Sequence, residues 1–211
     1  DYDGFSEEVR VKDLALDPSA FPNAKELQQS ENLGRLKTTT TMGDSNGDGL
    51  YEEIYGYGGR SFAIMDGNSG KIIYDSGNDI AVRTAFTGFF NWNEDAGSFD
   101  DRSDDKGAEP EAITVGEIDG KTYAFVGLER QGGIMMYDIT GIIKPKFVGY
   151  FNGRNFFGDG TKMTGGDISP ESLVFIPADK TPPAYKALND GPLLIGAYEL
   201  SGTTAVYQIN N

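Results

Sequence analysis

The sharpest chemical pattern in the chain is Asp44-Ser45-Asn46-Gly47-Asp48-Gly49-Leu50-Tyr51-Glu52-Glu53. Oxygen-bearing side chains fall at alternate positions, so Asp44, Asn46 and Asp48 converge on one point in a tight loop. Gly49 permits the sharp turn, Leu50 offers its backbone carbonyl, and Glu52 supplies a further carboxylate. The donor set is that of a hard cation, and calcium is the expected occupant, in a structural role. An EF-hand loop would carry a bidentate Glu where Tyr55 stands, and the segment runs on into strand-like sequence, so a helix–loop–helix is not expected. The competing reading is a plain polar hairpin loop, because Asn-Gly and Asp-Gly favour turns without any ion.

A second constellation is Arg102-Ser103-Asp104-Asp105-Lys106-Gly107-Ala108-Glu109-Pro110-Glu111. Both signs of charge crowd just before a strand. In a bladed fold Glu109, Glu111 and Glu171 would converge, with Glu129 and Glu199 on neighbouring strands. Carboxylates sharing one mouth repel unless cations compensate. Arg102, Lys106, Arg130 and Arg154 are the candidates to do so. Such a mouth could hold metal ions and a phosphate ester, and Arg102, Lys106, Glu109, Glu111, Glu129 and Arg130 are its candidate catalytic residues. The alternative is a salt-bridge network that only locks adjacent blades.

What the chain lacks narrows the chemistry further. It has no His and no Cys, which excludes a Ser-His-Asp triad, an imidazole base, a thiol nucleophile and a zinc-thiolate site. Catalysis, if present, is limited to oxygen-ligated metal chemistry. With 18 basic and 33 acidic residues the net charge is −15, which argues against nucleic acid and anionic membranes as partners. The longest apolar runs, such as residues 193–197, are too short for a transmembrane segment. The missing Cys suits an extracellular or cell-surface location, and the opening at Asp1 suggests a trimmed or mature segment of something longer.

The elements that must position these residues are short strands. The 29 glycines and 12% aromatic content fit tight turns between runs of Val, Ile, Thr, Tyr and Phe. Strands are expected at 36–42, 53–57, 61–66, 71–75, 112–118, 122–129, 134–139, 147–151, 172–176, 193–199 and 203–209. Asp119-Gly120 marks a two-residue hairpin. Short helices are expected at 24–29, after Pro22, and at 79–86. Residues 91–106 read as a long acidic loop.

The chain also repeats itself. Glu109-Pro110-Glu111-Ala112-Ile113 recurs as Ser169-Pro170-Glu171-Ser172-Leu173, and residues 129–139 recur at 199–209, Tyr137 matching Tyr207. A fainter copy spans 59–66, and residues 177–192 are an insertion in the last copy. Repeated all-β units of this size indicate β-propeller blades. The expected organisation is a single partial propeller: a leading segment with a short helix at 1–33, blades at 34–90, 109–168 and 169–211, and the acidic loop at 91–108. About three blades are fewer than a closed wheel needs. The remainder of the propeller, from the same parent chain or another, or self-association, is therefore an expected partner.

Residues 99–111, residues 124–133 from Ala124 to Gly133, the ending Glu199-Leu200-Ser201-Gly202-Thr203-Thr204, and the Asp44 loop with its continuation to Phe62 together resemble the choice-of-anchor I domain family. The resemblance covers nearly the whole chain. It implies a large secreted or surface-anchored β-propeller, of which this looks like the C-terminal part. Some relatives in the family are described as atypical alkaline phosphatases and others as mesenchyme-specific cell-surface glycoproteins. Two functions follow as expectations: a calcium-dependent phosphomonoesterase, or a non-catalytic surface or matrix module. The family carries no agreed catalytic set to transfer, and the repeat itself departs at Ser169, opposite Glu109, and at Leu200, opposite Arg130.

Overall fold

A computed structural model describes residues 4–94, 99–160, 162–186 and 190–210. They form two compact units, one of residues 1–59 with 103–106 and the other of residues 60–102 with 107–211.

In the first unit, β1 (Glu8–Arg10) pairs antiparallel with β2 (Lys37–Thr39), Val9 opposite Thr38. Val11, Leu14 and Leu16 form a small core with Phe21, Ala24, Leu36, Tyr51 and Ile54 around it. Ala24 belongs to α1 (Ala24–Leu27), the helix expected after Pro22. A parallel bridge from Leu16 to Tyr51 ties the end of the Asp44 loop to this core. The other end is fixed by Gly43, whose carbonyl accepts the Glu52 and Glu53 amides at 2.8 and 3.2 Å. Only glycine fits there: its φ is +103°, and a Cβ would lie 2.3 Å from the Glu53 carbonyl oxygen.

The second unit carries the blades. After the hairpin β3 (Ala63–Met65) and β4 (Ile72–Asp75) comes α2 (Asp79–Ala85). Then β5 (Pro110–Ile118), β6 (Lys121–Leu128), β7 (Ile134–Asp138) and β8 (Lys146–Phe151) make a four-stranded antiparallel meander. The Asp119-Gly120 hairpin is as expected, with φ of +51° and +74° at its two central residues. β9 (Pro170–Ile176), β10 (Leu193–Tyr198) and β11 (Thr203–Gln208) repeat the pattern in a three-stranded sheet. The insertion after β9 holds the short helix α3 (Pro183–Lys186).

The fold is thus all-β, and the meander is the unit of a propeller blade. Period-two alternation sets the faces of the two larger sheets. One face of β5–β8 puts Val126, Leu128, Met135 and Tyr137 against Phe62 and Ile80. The other puts Ala112, Phe125 and Ile134 against Leu173 and Leu194 of the second sheet. The approach is close at Gly116, where a Cβ would sit 2.4 Å from the Phe175 ring. The opposite face of the second sheet carries the cross-strand row Val174, Ile195 and Val206, with Val174 half exposed.

Two details depart from expectation. Strand β1 has no counterpart among the expected strands, because three residues are too short to show alternation. The run at 53–57 contributes only a bridge at Gly56, and residues 34–90 divide between the two units and build no four-stranded sheet among the described residues. The turn chemistry of residues 43–49 breaks the segment before it can form one.

Candidate carboxylate sites

In the first unit, one carboxylate oxygen each from Asp44, Asp48 and Glu52 lies within 4.8 Å of the others. The sequence dictates this locally. Asp44 Oδ1 accepts the Gly47 and Asp48 amides at 2.7 and 3.2 Å, and its Oδ2 accepts Gly49 N–H at 2.9 Å. Asn46 Oδ1 accepts Asp48 N–H, and Asp48 Oδ1 accepts Leu50 N–H, both at 2.8 Å. Glu52 reaches back to accept from Ser45 N–H and Oγ and from Asn46 Nδ2 at 2.8 to 2.9 Å. Each short side chain thereby bonds the backbone a few residues on, winding the loop so that its acids share one side. Asp48 is exposed and Asp44 and Glu52 are half exposed, so the group faces water. The donor set, all oxygen and of high negative charge, fits calcium.

The second unit gathers a larger cluster. Oxygens of Glu109, Glu111 and Glu129 lie within 4.8 Å of one another, as do those of Glu129, Glu171 and Glu199. Glu129 belongs to both groups. The backbone places them by repetition: Glu129 N–H donates to the Glu109 carbonyl at 2.7 Å, and Glu199 N–H to the Ser169 carbonyl at 2.8 Å. Glu109 and Ser169 each sit just before a proline-led strand with φ of +52° and +63°. For non-glycine residues that conformation costs free energy and is held only by surrounding structure.

Two guanidinium groups offset the acids. Arg102 pairs with Glu109, which is 1% exposed. Arg130 reaches Glu109 at 3.2 Å and Glu129 at 3.1 Å and also pairs with Glu94. Arg154 braces the set from behind, donating to the Arg130 carbonyl at 2.7 Å and the Glu94 carbonyl at 2.9 Å. Burial, then a hydrogen bond to Glu109 and the charges of Glu111 and Glu109, push the Glu129 carboxyl up to about 8. Burial and the neighbouring Glu199 also raise Glu171. Burial lowers Arg130 despite the pull of Glu199 and Glu171.

The structure therefore brings together Arg102, Glu109, Glu111, Glu129 and Arg130 from the expected catalytic set. Lys106 belongs to the first compact unit. Glu94, unremarkable in the acidic run, proves central: it pairs with Arg130 and accepts a 2.6 Å bond from Ser169 Oγ. It supplies a carboxylate beside the position where the second repeat lost one. No signal in the sequence points to this contact, which spans 75 residues. Residues 95–98 of the same acidic run lie outside the described residues. Trp92 and Phe89 are packed with Phe156, which stacks on Phe89 at 4.0 Å.

Residues 1–142 match the choice-of-anchor I domain. That span includes the Asp44 loop and the first repeat of the cluster. Gigasin-3a of Magallana gigas is 27% identical over 198 residues, which cover 87% of this chain and 66% of that protein. The chain thus spans just under two thirds of that relative's length. No solved structure matches it.

Proposed function

The chain belongs to the choice-of-anchor I domain family, and we propose that it is an extracellular or surface calcium-binding β-propeller segment whose Asp44 loop is clamped by the ion. The convergence of Asp44, Asp48 and Glu52 within 4.8 Å carries this reading. Asp44, Asn46, Asp48 and Glu52, with the Leu50 carbonyl, would hold calcium. Its role is to offset the mutual repulsion of the acids and tie the loop to the Leu16–Tyr51 bridge. Family membership supports a surface or extracellular setting, and no helix among the described residues is long and apolar enough to cross a membrane. Titration of the full chain with calcium chloride, by calorimetry and by thermal melting, tests it. Saturable heat and a raised melting temperature are expected, both lost in Asp48→Asn and Glu52→Gln. Heat and melting unchanged by calcium would sink it.

A second reading, a metal-dependent phosphomonoesterase, is favoured by one observation: two groups of three carboxylates share Glu129, the arrangement that could hold paired cations. Glu109, Glu111, Glu129, Glu171 and Glu199 would hold the ions, whose charge would stabilise a phosphoryl group. Arg102 and Arg130 are already engaged by Glu109, Glu129 and Glu94, which supports a lock between blades more than an anion cradle. Hydrolysis of p-nitrophenyl phosphate in calcium, magnesium or zinc that disappears in Glu129→Gln is the expected mark of catalysis. Equal turnover in that variant and its parent would rule this mouth out.

A further inference from the structure

The dipeptide Asn-Gly occurs twice in the chain, at Asn46-Gly47 and at Asn152-Gly153. In such a pair the glycine nitrogen can attack the side-chain carbonyl carbon of the asparagine, because glycine puts no Cβ in the way. The two copies sit in opposite surroundings.

Asn152 is half-buried and fixed by packing. Its Nδ2 donates to the Tyr150 hydroxyl at 2.9 Å and to the Gln131 carbonyl at 3.3 Å, and its Oδ1 accepts Arg154 N–H at 2.9 Å. A Cβ on Gly133 would lie 2.8 Å from the Asn152 Cβ, so the stem of the side chain is packed as well. Turning this side chain toward the Gly153 nitrogen would leave polar groups of a packed network unpaired, which costs free energy.

Asn46 and Gly47 are exposed, and a Cβ on Gly47 would meet nothing within 4 Å. Their bonds place a partner at each group that the reaction uses. Gly47 N–H, on the attacking nitrogen, donates to Asp44 Oδ1 at 2.7 Å, so a carboxylate is within reach of the proton that must leave. Asn46 Oδ1, where negative charge develops, accepts Asp48 N–H at 2.8 Å. Asn46 Nδ2, the leaving nitrogen, donates to Glu52 Oε1 at 2.9 Å.

We propose that Asn46-Gly47 is a self-modification site, at which Asn46 deamidates in the ion-free loop. A bond forms between Gly47 N and Asn46 Cγ, the Cγ–Nδ2 bond breaks, and the nitrogen leaves as ammonia with the Gly47 proton. The product is a succinimide ring spanning residues 46 and 47. Water then opens the ring. Opening at the former side-chain carbonyl leaves an aspartate at position 46. Opening at the main-chain carbonyl leaves an isoaspartyl link, which routes the backbone through the side chain and adds one carbon to it.

The consequence rests on the calcium reading of the same loop. A bound ion engages the oxygens of Asp44, Asn46 and Glu52 that the reaction uses, and so protects its own site. An isoaspartyl link moves Asp48 and Glu52 out of the register that their spacing gives them. A loop left empty is thereby retired from calcium binding.

Trypsin releases residues 38–60 and residues 147–154, each with a single Asn and no Gln, so a mass change in either reports one site. The full chain is incubated with chelator below its melting temperature, digested and weighed. Residues 38–60 are expected to exchange ammonia for water, while residues 147–154 stay unchanged. In Asn46→Gln, whose longer side chain cannot close the five-membered ring, the gain at 38–60 is expected to vanish. Calcium at about 100 times the dissociation constant measured on fresh chain is expected to slow the gain by about a hundredfold, since only the ion-free fraction reacts. No gain at 38–60, or an equal gain in both segments, overturns the proposal. Calcium bound by the fresh chain with no change in rate overturns the protection. A fresh chain that binds no calcium counts against the calcium reading alone, and the two segments in chelator still decide the proposal.

Discussion

The Asp44 loop and the Glu129 mouth both concentrate carboxylates, and they solve the resulting repulsion by opposite means. In the loop the acids are near in sequence, face water and are steadied by backbone N–H groups. In the mouth they come from segments far apart in sequence, Glu109 and Glu129 are buried, and the offset comes from Arg102 and Arg130 and from the raised Glu129 carboxyl. A loop of the first kind gains from an external cation. A buried cluster of the second kind has built its cations into the fold.

The widest separation between the two sites is expected on truncating one acid in each. Glu109→Ala leaves two arginines without their shared partner and should cost about 3–5 kcal/mol, read as a lower urea midpoint. Asp44→Ala in calcium-free buffer should cost only about 1 kcal/mol. Equal losses would erase the distinction. Next, calcium at about 100 times its dissociation constant should stabilise the parent by about 2.7 kcal/mol, a gain that Glu129→Gln retains and Glu52→Gln loses. Loss of the gain in Glu129→Gln instead would place the ion in the mouth.

A smaller effect concerns pH. Glu129 titrates near 8 in the folded chain against an ordinary 4.5. Between those values the native state keeps a proton that the unfolded chain has lost. Its contribution is therefore fully present below about 4.5 and is lost as pH rises to about 8. With chelator present, melting temperature should fall across that window in the parent and fall less in Glu129→Gln, by a few degrees or about 2–4 °C per kcal/mol. A parallel profile in the variant would show that another group dominates. The smallest expected change is Ser169→Ala, which removes the bond to Glu94 and should cost about 1–1.5 kcal/mol, measured against a Thr41→Ala control in the first unit.

How far the sequence discloses these sites depends on the range of the interactions. The Asp44 loop was legible because each of its side-chain bonds joins residues at most seven apart, so spacing largely encodes its shape. The strands of the second unit were legible too, through alternation and through the recurrence of Tyr137 as Tyr207. The mouth was legible only as far as the repeat extends. Glu109, Glu111, Glu129, Glu171 and Glu199 follow from matching positions, whereas Glu94 reaches Ser169 across 75 residues. No local pattern records such a contact. Residues 34–90 misled for a related reason: strand-like composition at 53–57 has no partner long enough to pair with, and pairing is decided by the rest of the chain.

The left-handed residues before Pro110 and Pro170 carry an evolutionary corollary. Their position is fixed by main-chain bonds to Glu129 and Glu199, which use no side-chain atom. Placement is thereby uncoupled from identity, so one copy carries a carboxylate and the other a hydroxyl on the same backbone. A scaffold arranged in this way keeps the backbone of the mouth alike in both copies while their charge differs.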